Sequence, residues 1–343
     1  MAFFKAIRIH EHGGLEKLQV NKLPLQPLKS DEVRVKIHAS ALNRLDIWVR
    51  AGLPGWNLPL PLIPGSDGAG EIVEIGNNVR SIALGDKVVI QPAFGCGDCQ
   101  FCKHGDEHYC LKFGIRGENT DGTHTEIIQV TENQVVKFEN LNWTEAAAIP
   151  LTFVTAWEMI EKAQLQKGET VLIWAASSGV STAAIQIAKW KGARVIATAG
   201  SKKKLKFAKS LGADAMIHHY EEDVSKRIKE LTNNCGVNLV IDHVGEKTIP
   251  VSFRCLAWGG RIVTCGSTTG TKAEINLRHL FFKQLSIIGS TMGRPDSLPK
   301  IIKLADDGVF RGIVSQKFPF SGIAKAHETM EKSQQLGKLI LTF

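Results

Sequence analysis

The sequence predicts an α/β protein in which a doubly wound parallel sheet accompanies a β-rich domain. Two different patterns of apolar and polar residues along the chain support this prediction. Up to about residue 153, short segments alternate apolar and polar side chains between frequent Gly and Pro, as half-buried strands do. From about residue 154, short apolar runs alternate with helical patterns, which is typical of a parallel sheet covered by helices. A chain of 343 residues is long enough to bury two cores.

Individual strands can be read in both parts of the chain. The alternating segments of the β-rich part are 4–9, 32–37, 71–76 and 85–90, with a final strand predicted at 338–343. The later apolar runs that suit buried strands are 171–174, 194–199, 239–241, 261–264 and 285–288.

The clearest unit is the strand–helix–strand pattern of residues 169–209. The turn after its first strand matches a dinucleotide-binding fingerprint imperfectly. Ala175 and Ser181 stand at the outer two glycine positions, and Gly179 lies beside the middle one. Small residues here let the backbone approach a pyrophosphate, which the helix N-terminus stabilises. A strand–helix–strand unit without a ligand is the alternative.

The end of the second strand favours NADPH over NADH. An NAD site places an acidic residue about 20 positions after the loop, where it holds the ribose 2′-hydroxyl. No Asp or Glu occurs between Gly192 and Ala213, and Ser201 leads instead into three consecutive lysines at 202–204. A hydroxyl and ammonium groups suit a 2′-phosphate. The alternative is a solvated basic first turn, although positive charge opposes the helix dipole there.

Four cysteines within fifteen residues predict a metal site. Their spacing is Cys96-x2-Cys99-x2-Cys102-x7-Cys110, and four thiolates this close can surround one tetrahedral zinc. A site closed by four protein ligands leaves no position for water, so the zinc is expected to be structural. An iron–sulfur cluster and disulfides are the rival interpretations. The other three cysteines, Cys235, Cys255 and Cys265, are interpreted as buried or incidental thiols.

Composition excludes several classes of partner. The formal net charge is +8, but the lysines are spread along the chain and no nucleic-acid-reading motif accompanies them. The sequence has no apolar span of 18 residues, and charges stand where a signal peptide needs its apolar core. We therefore expect a cytoplasmic protein that acts on a small molecule and binds neither nucleic acid nor membrane.

At the level of whole motifs, the chain resembles the medium-chain dehydrogenases/reductases, the superfamily of zinc-containing alcohol dehydrogenases and quinone oxidoreductases. The resemblance extends over essentially the whole length. Its landmarks are the four-cysteine segment, the cofactor loop and residues 39–46, 64–70, 146–157 and 259–263.

The resemblance implies a discontinuous architecture. A GroES-like catalytic domain would comprise residues 1–153 and 290–343, with the structural zinc lobe at about 94–112. A Rossmann domain at 154–289 would bind NADP. The strand at 285–290 would pair with a second copy, which gives a homodimer or homotetramer.

The resemblance also implies that the catalytic zinc of the alcohol dehydrogenases is missing. Its cysteine ligand corresponds to Asn43, its histidine ligand to Ser66, and the third ligand position falls near Leu151. Leu45 stands where the proton-relaying hydroxyl would be. Because a catalytic zinc needs three protein ligands and an open position, we expect structural zinc alone.

Without a Lewis acid, a quinone or an activated enone is a better hydride acceptor than a simple alcohol is a donor. Asn43-x2-Asp46 together with residues 65–67 resembles the quinone oxidoreductase branch. Asn43 is expected to bond the cofactor ribose or the substrate oxygen, or else nearby backbone, and Asp46 to orient other groups. The alternatives are an alcohol or aldehyde dehydrogenase, and a non-catalytic NADPH-binding protein of crystallin-like or regulatory type.

The resemblance also implies which residues contact the cofactor. All of them are expected at the carboxyl edge of the parallel sheet. The pyrophosphate would meet Ser178, Gly179, Val180 and Ser181, the 2′-phosphate Ser201 and Lys204, the adenosine end Tyr220, and the remainder Val244, Cys265, Gly266 and Ser267. His218, His219 and His243 are interpreted as structural.

Overall fold

A computed structural model describes residues 2–343. The chain divides into two compact units, one formed by the chain up to Leu151 together with Arg294–Phe343, the other by Thr152–Gly293. The domain boundaries that the sequence suggests, at 153/154 and 289/290, lie within four residues of these divisions.

The first unit begins with nine strands and three helices. The strands are β1 (Phe3–Arg8), β2 (Gln19–Pro24), β3 (Glu32–Ala41), β4 (Asp67–Ile75), β5 (Lys87–Ile90), β6 (Ala93–Phe94), β7 (Gly114–Ile115), β8 (Ile127–Thr131) and β9 (Val135–Lys137). The helices are α1 (Arg44–Ala51), α2 (Gln100–Lys103) and α3 (Trp143–Ala147), with 3-10 turns at Leu15–Lys17, Glu107–Tyr109 and Glu132–Gln134.

The second unit alternates strands and helices after α4 (Pro150–Lys162), the helix that contains the division between the units. Its elements are β10 (Thr170–Ile173), α5 (Gly179–Trp190), β11 (Arg194–Ala199), α6 (Lys202–Ser210), β12 (Ala215–His218), α7 (Val224–Leu231), β13 (Val237–Asp242), α8 (Ile249–Cys255), β14 (Leu256–Thr264), α9 (Leu277–Phe282) and β15 (Ser286–Gly289).

The chain then returns to the first unit. The returning elements are α10 (Ser297–Asp306), β16 (Val314–Pro319), a 3-10 turn at Phe320–Gly322, α11 (Ile323–Glu331) and β17 (Lys338–Thr342). Strand β17 pairs parallel with β16 and antiparallel with β3, so the last strand of the chain completes a sheet that the first fifty residues begin.

The main sheet of the first unit has seven strands, in the order β16-β17-β3-β4-β5-β9, with β8 also paired to β3. Alternation along β3 buries Val33, Val35 and Ile37, which pack with Ile72 and Val88 of the neighbouring strands. This agrees with the period-two pattern in the sequence, because successive side chains of a strand point to opposite faces.

The sheet of the second unit is parallel throughout and runs in the order β12-β11-β10-β13-β14-β15. The strand order reverses between β10 and β13, which is the switch point of a doubly wound fold and the place where such folds bind dinucleotides. The predicted fold class is therefore confirmed. None of the helices within residues 2–343 is both long enough and apolar enough to span a membrane.

Candidate cofactor and active site

The loop after β10 has the backbone of a phosphate-binding turn despite its missing glycines. Ala175, at the first glycine position, has a φ of +51°, the left-handed conformation that glycine adopts most easily. Ser178 then caps α5, and its Oγ accepts the backbone N–H of Ser181 at 3.1 Å. The N-terminus of α5 thus points its remaining N–H groups to the carboxyl edge of the sheet, where an anion is stabilised.

His243 is a residue of this loop region that the sequence did not single out for cofactor binding. Its Nε2 lies 3.0 Å from Ser178 Oγ and 2.8 Å from Ser181 Oγ. Ser181 Oγ already donates its only proton to the carbonyl of Trp174, at 2.6 Å. Nε2 must therefore donate, which fixes the proton on that nitrogen. The prediction of a hydrogen-bonded role for His243 agrees with this geometry.

A second turn at the same edge is organised by the buried carboxylate of Asp242. Its Oδ1 accepts the backbone N–H groups of Val244 and Gly245 at 2.9 and 3.1 Å, and its Oδ2 accepts Ser252 Oγ at 2.9 Å. Residues Cys265, Gly266 and Ser267 directly follow β14. The structure therefore brings the predicted pyrophosphate residues and these strand-end residues to one edge of one sheet.

The residues that the sequence assigns to a 2′-phosphate lie just after the end of β11. Ser201 caps α6, and its Oγ accepts the backbone N–H of Lys204. The Lys204 side chain is partly buried, and this desolvation lowers the pKa of its ammonium group. Tyr220 is 81% exposed and its ring lies against Gly200, where an added Cβ would stand 2.3 Å from the ring. Tyr220 also meets the ring of His219 edge-on.

In the first unit, three polar side chains form a closed triangle. Asn43 Nδ2 donates to Asp67 Oδ2 at 2.9 Å, and Lys338 Nζ donates to the same oxygen at 2.8 Å. Lys338 Nζ also donates to Asn43 Oδ1, at 2.5 Å. We call Asn43, Asp67 and Lys338 the polar triangle. The second oxygen of Asp67 accepts the backbone N–H of Leu151 at 2.7 Å.

Two of the positions that the resemblance assigns to ligands of a catalytic zinc have no side chain aimed at this triangle. Ser66 Oγ is buried and donates to the carbonyl of Arg116 at 2.8 Å. Leu151 offers only its backbone N–H to Asp67. An amide, a hydroxyl engaged elsewhere and an alkyl chain do not form a zinc donor set.

Asp46 is fully buried, as Asp67 is. Its two carboxylate oxygens accept the backbone N–H groups of Asn43, at 2.6 Å, and Gly65, at 3.1 Å. Burial raises the pKa of Asp46 to about 7, against the opposite effect of these two hydrogen bonds. The sequence gives no sign of this raised pKa. The contacts are those of a residue that orients two loops, which is the role the sequence suggested.

His124 packs beside Asp46, with Nε2 3.8 Å from Asp46 Oδ2 and Nδ1 2.8 Å from Ser40 Oγ. Burial lowers the pKa of this imidazole well below its ordinary value, and the positive charge of Lys338 adds to the shift. Gly65 has a φ of +98°, and a Cβ there would stand 2.4 Å from His124 Nδ1. Only glycine combines this conformation with this close approach.

The four cysteines lie on a lobe framed by the short pair β6 and β7. Their Sγ atoms all lie within 4.8 Å of one another, with Cys99 and Cys96 at 3.5 and 3.9 Å from Cys102. A tetrahedral zinc with Zn–S distances of about 2.3 Å separates its sulfurs by about 3.8 Å. The cluster therefore fits one zinc. Across residues 2–343, no other group of three His, Cys, Asp or Glu side chains is close enough to share a metal.

Two family models match separate stretches of this chain. The model of the alcohol dehydrogenase GroES-like domain matches residues 29–140, and the zinc-binding dehydrogenase model matches residues 179–307. Acryloyl-coenzyme A reductase of Metallosphaera sedula is 30% identical over 315 residues, which cover 91% of this chain and 92% of the relative. This chain belongs to the zinc-containing alcohol dehydrogenase family of medium-chain dehydrogenases/reductases.

Other members of the family align over almost the whole length of this medium-chain dehydrogenase/reductase. The crystal structure of an NAD-dependent alcohol dehydrogenase superposes with a TM-score of 0.96 at 41% identity and covers 99% of both chains. Human quinone oxidoreductase is 28% identical, covering 98% of this chain and 97% of the relative. The chain is therefore an oxidoreductase, in a family whose members carry names of several substrate classes.

We expect purified protein to contain about one zinc per chain, held by four thiolates. Cys102→Ser should release the metal and lower the melting temperature, since structural zinc contributes directly to folding free energy. Cys235→Ser, an exposed cysteine outside the lobe, is the matched control and should change neither. Elemental analysis and thermal unfolding measure both effects. Two zinc ions per chain would contradict the interpretation of Asn43 and Ser66, and iron would indicate a cluster instead.

Proposed function

We propose that the protein is an NADPH-dependent oxidoreductase that transfers hydride to a quinone or an activated enone, with a structural zinc and no catalytic zinc. The observation that carries this proposal is the polar triangle. Asn43 stands at a metal-ligand position of the family, and its amide is engaged by Asp67 and Lys338. An ammonium group lies among these side chains, where a divalent cation would be repelled.

In the proposed site no Lewis acid activates the substrate, so only substrates that react without one are suitable. A bound metal lowers the pKa of an alcohol or water ligand, and without it an alcohol does not readily form the alkoxide that gives up hydride. A quinone or enone needs no such activation. A bound nicotinamide cofactor would supply the hydride, the electron pair of the acceptor's π bond would move to its carbonyl oxygen, and a proton from water would complete the product.

The cofactor preference rests on the start of α6. Ser201 and the partly buried Lys204 stand where the second ribose is expected, and no acidic residue follows β11 before Asp214. A carboxylate at that place would bond a 2′-hydroxyl and repel a 2′-phosphate, whereas an ammonium group attracts the phosphate.

An alcohol dehydrogenase activity is the second candidate, and one observation favours it. The solved structure of an NAD-dependent alcohol dehydrogenase shares 41% of its residues with this chain. Non-catalytic NADPH binding is the third, since Ala175 and Ser181 replace two fingerprint glycines. The positive φ of Ala175 and the capped α5 both count against loss of the cofactor site.

We also propose that two copies associate through β15. This strand pairs with β14 on one side only among the described strands. Around it, Trp258, Phe281, Phe282 and Ile287 are exposed, and the rings of Trp258 and Phe282 lie 5.3 Å apart. An unprotected edge strand with apolar neighbours is a surface that pairs with another chain.

The function is tested by following nicotinamide absorbance with NADPH and NADH against a quinone, an enone and an aldehyde. We expect NADPH to be oxidised by the quinone or the enone, with the aldehyde inert. A clear aldehyde rate that a chelator abolishes would support the alcohol dehydrogenase candidate. Tight NADPH binding without turnover of any acceptor would support the non-catalytic one.

The cofactor preference is tested by Lys204→Glu. Because the new carboxylate repels a 2′-phosphate, KM for NADPH should rise by about tenfold or more, corresponding to about 1.4 kcal/mol, while KM for NADH changes little. Lys209→Glu makes the same charge change at the exposed far end of α6 and serves as the control. Equal loss for both cofactors in Lys204→Glu would refute the assignment.

The dimer proposal is tested by Ile287→Lys, which places a charge at the exposed edge of β15. Analytical ultracentrifugation should show that the variant has half the mass of the parent protein, or that it dissociates at a higher protein concentration than the parent does. Leu84→Lys makes the same kind of change at an exposed leucine of the first unit and should leave the mass unaltered. An unchanged mass in both variants would exclude β15 as the interface.

A further inference from the structure

Lys338 is a buried cation for which the sequence predicted no role beyond the start of the last strand. Its side chain is 5% exposed, and its partner carboxylate, Asp67, is not exposed at all. Burying an ammonium group costs several kcal/mol unless a counter-charge and hydrogen bonds compensate it. Asp67 supplies the counter-charge and a hydrogen bond, and Asn43 Oδ1 accepts a second hydrogen bond from Lys338.

The orientation of the Asn43 amide follows from its neighbours. Lys338 can only donate and an ionised Asp67 can only accept, so Oδ1 must face Lys338 and Nδ2 must face Asp67. This leaves one N–H of Nδ2 and one N–H of Nζ. Within residues 2–343, neither of these two N–H groups has an acceptor.

The two residues that carry the remaining N–H groups are also the two members of the polar triangle that are not completely buried. Asn43 and Lys338 retain 6% and 4% exposure, whereas Asp67 has none. Asp67 is held from the opposite side by the backbone N–H of Leu151. All three members of the triangle are therefore buried, and only the two donor members keep any exposure to solvent.

We propose that Lys338 and Asn43 together bind the carbonyl oxygen of the substrate and stabilise the negative charge that reaches this oxygen when hydride arrives. This rests on the proposed function and assigns a catalytic role to Lys338. Two adjacent donors, one of them charged, aimed at a developing oxyanion are a recurrent way to lower such a barrier. The proton that later neutralises the product oxyanion or its conjugated carbon still comes from water.

Single substitution of Lys338 would leave Asp67 buried without a counter-charge, so the informative variant is Lys338→Gln with Asp67→Asn. Amides at all three positions can still bond one another, and the charge pair is removed. Glu169→Gln with Arg261→Gln is the matched control, because it neutralises a partly buried ion pair of the second unit. Circular dichroism and thermal unfolding establish that both double variants fold.

Two measurements then separate a catalytic from a structural role. The Lys338→Gln/Asp67→Asn variant should lose about 10² to 10³-fold in kcat for the quinone or enone, as loss of an oxyanion donor does elsewhere. Its affinity for NADPH should be unchanged. In addition, 4-nitrophenol bound to the enzyme–NADP⁺ complex should show a lower phenol pKa in the parent protein and in the control than in this variant.

The nitrophenol titration does not depend on turnover. If the parent protein reduces neither quinone nor enone, the proposed function is wrong, and a lowered phenol pKa would still support the oxyanion site. If the phenol pKa and kcat are the same in parent and Lys338→Gln/Asp67→Asn, with both folded and binding NADP⁺, the inference about Lys338 is refuted.

Discussion

The first unit depends on one buried ion pair between Asp67 and Lys338. Asp67 begins β4 and Lys338 begins β17, and the two residues are 271 positions apart in sequence. Breaking a buried pair by removing one partner costs about 3–5 kcal/mol, because the remaining charge stays in a medium of low dielectric. The pair also holds Asn43 at the start of α1 and, through Asp67, the backbone of Leu151. A return of the chain after the second unit is therefore needed to complete both the sheet and the candidate site.

The cofactor loop shows how an imperfect motif keeps its shape. Ala175 adopts a left-handed conformation that costs about 1–2 kcal/mol relative to glycine. Around it, Ser178 caps the helix, Ser181 donates to the Trp174 carbonyl, and the single N–H on His243 Nε2 is shared between the two serine hydroxyls. In this loop, side-chain hydrogen bonds stabilise a turn that the fingerprint glycines stabilise through close packing. A hydrogen-bond network that is not part of the fingerprint thus compensates for the two missing glycines.

These two regions explain what could and could not be predicted from the sequence. Local periodicity predicted the helix after Ser178 and every parallel strand except β12, and the cysteine spacing predicted the metal-binding lobe, because each depends on residues that are neighbours in the chain. Lys338 has no such signal: the only unusual feature is a lysine at the start of an apolar last strand, and its partner lies 271 residues away. The raised pKa of Asp46 was invisible for the same reason, since it arises from complete burial among distant segments. His243 could have been found only from its place after a strand of the parallel sheet.

The polar triangle also gives a physical reason for a fold shared by enzymes named after different substrates. A divalent metal can lower the pKa of a bound hydroxyl by several units, which is needed to draw hydride from an alcohol. An ammonium group whose charge is balanced by Asp67 can only donate hydrogen bonds and a modest field. It is too weak to create an alkoxide, and in the proposed reaction it would act only on a carbonyl oxygen whose charge is already spread over a conjugated system. A few side chains at the strand ends can therefore select the substrate class while the backbone stays the same.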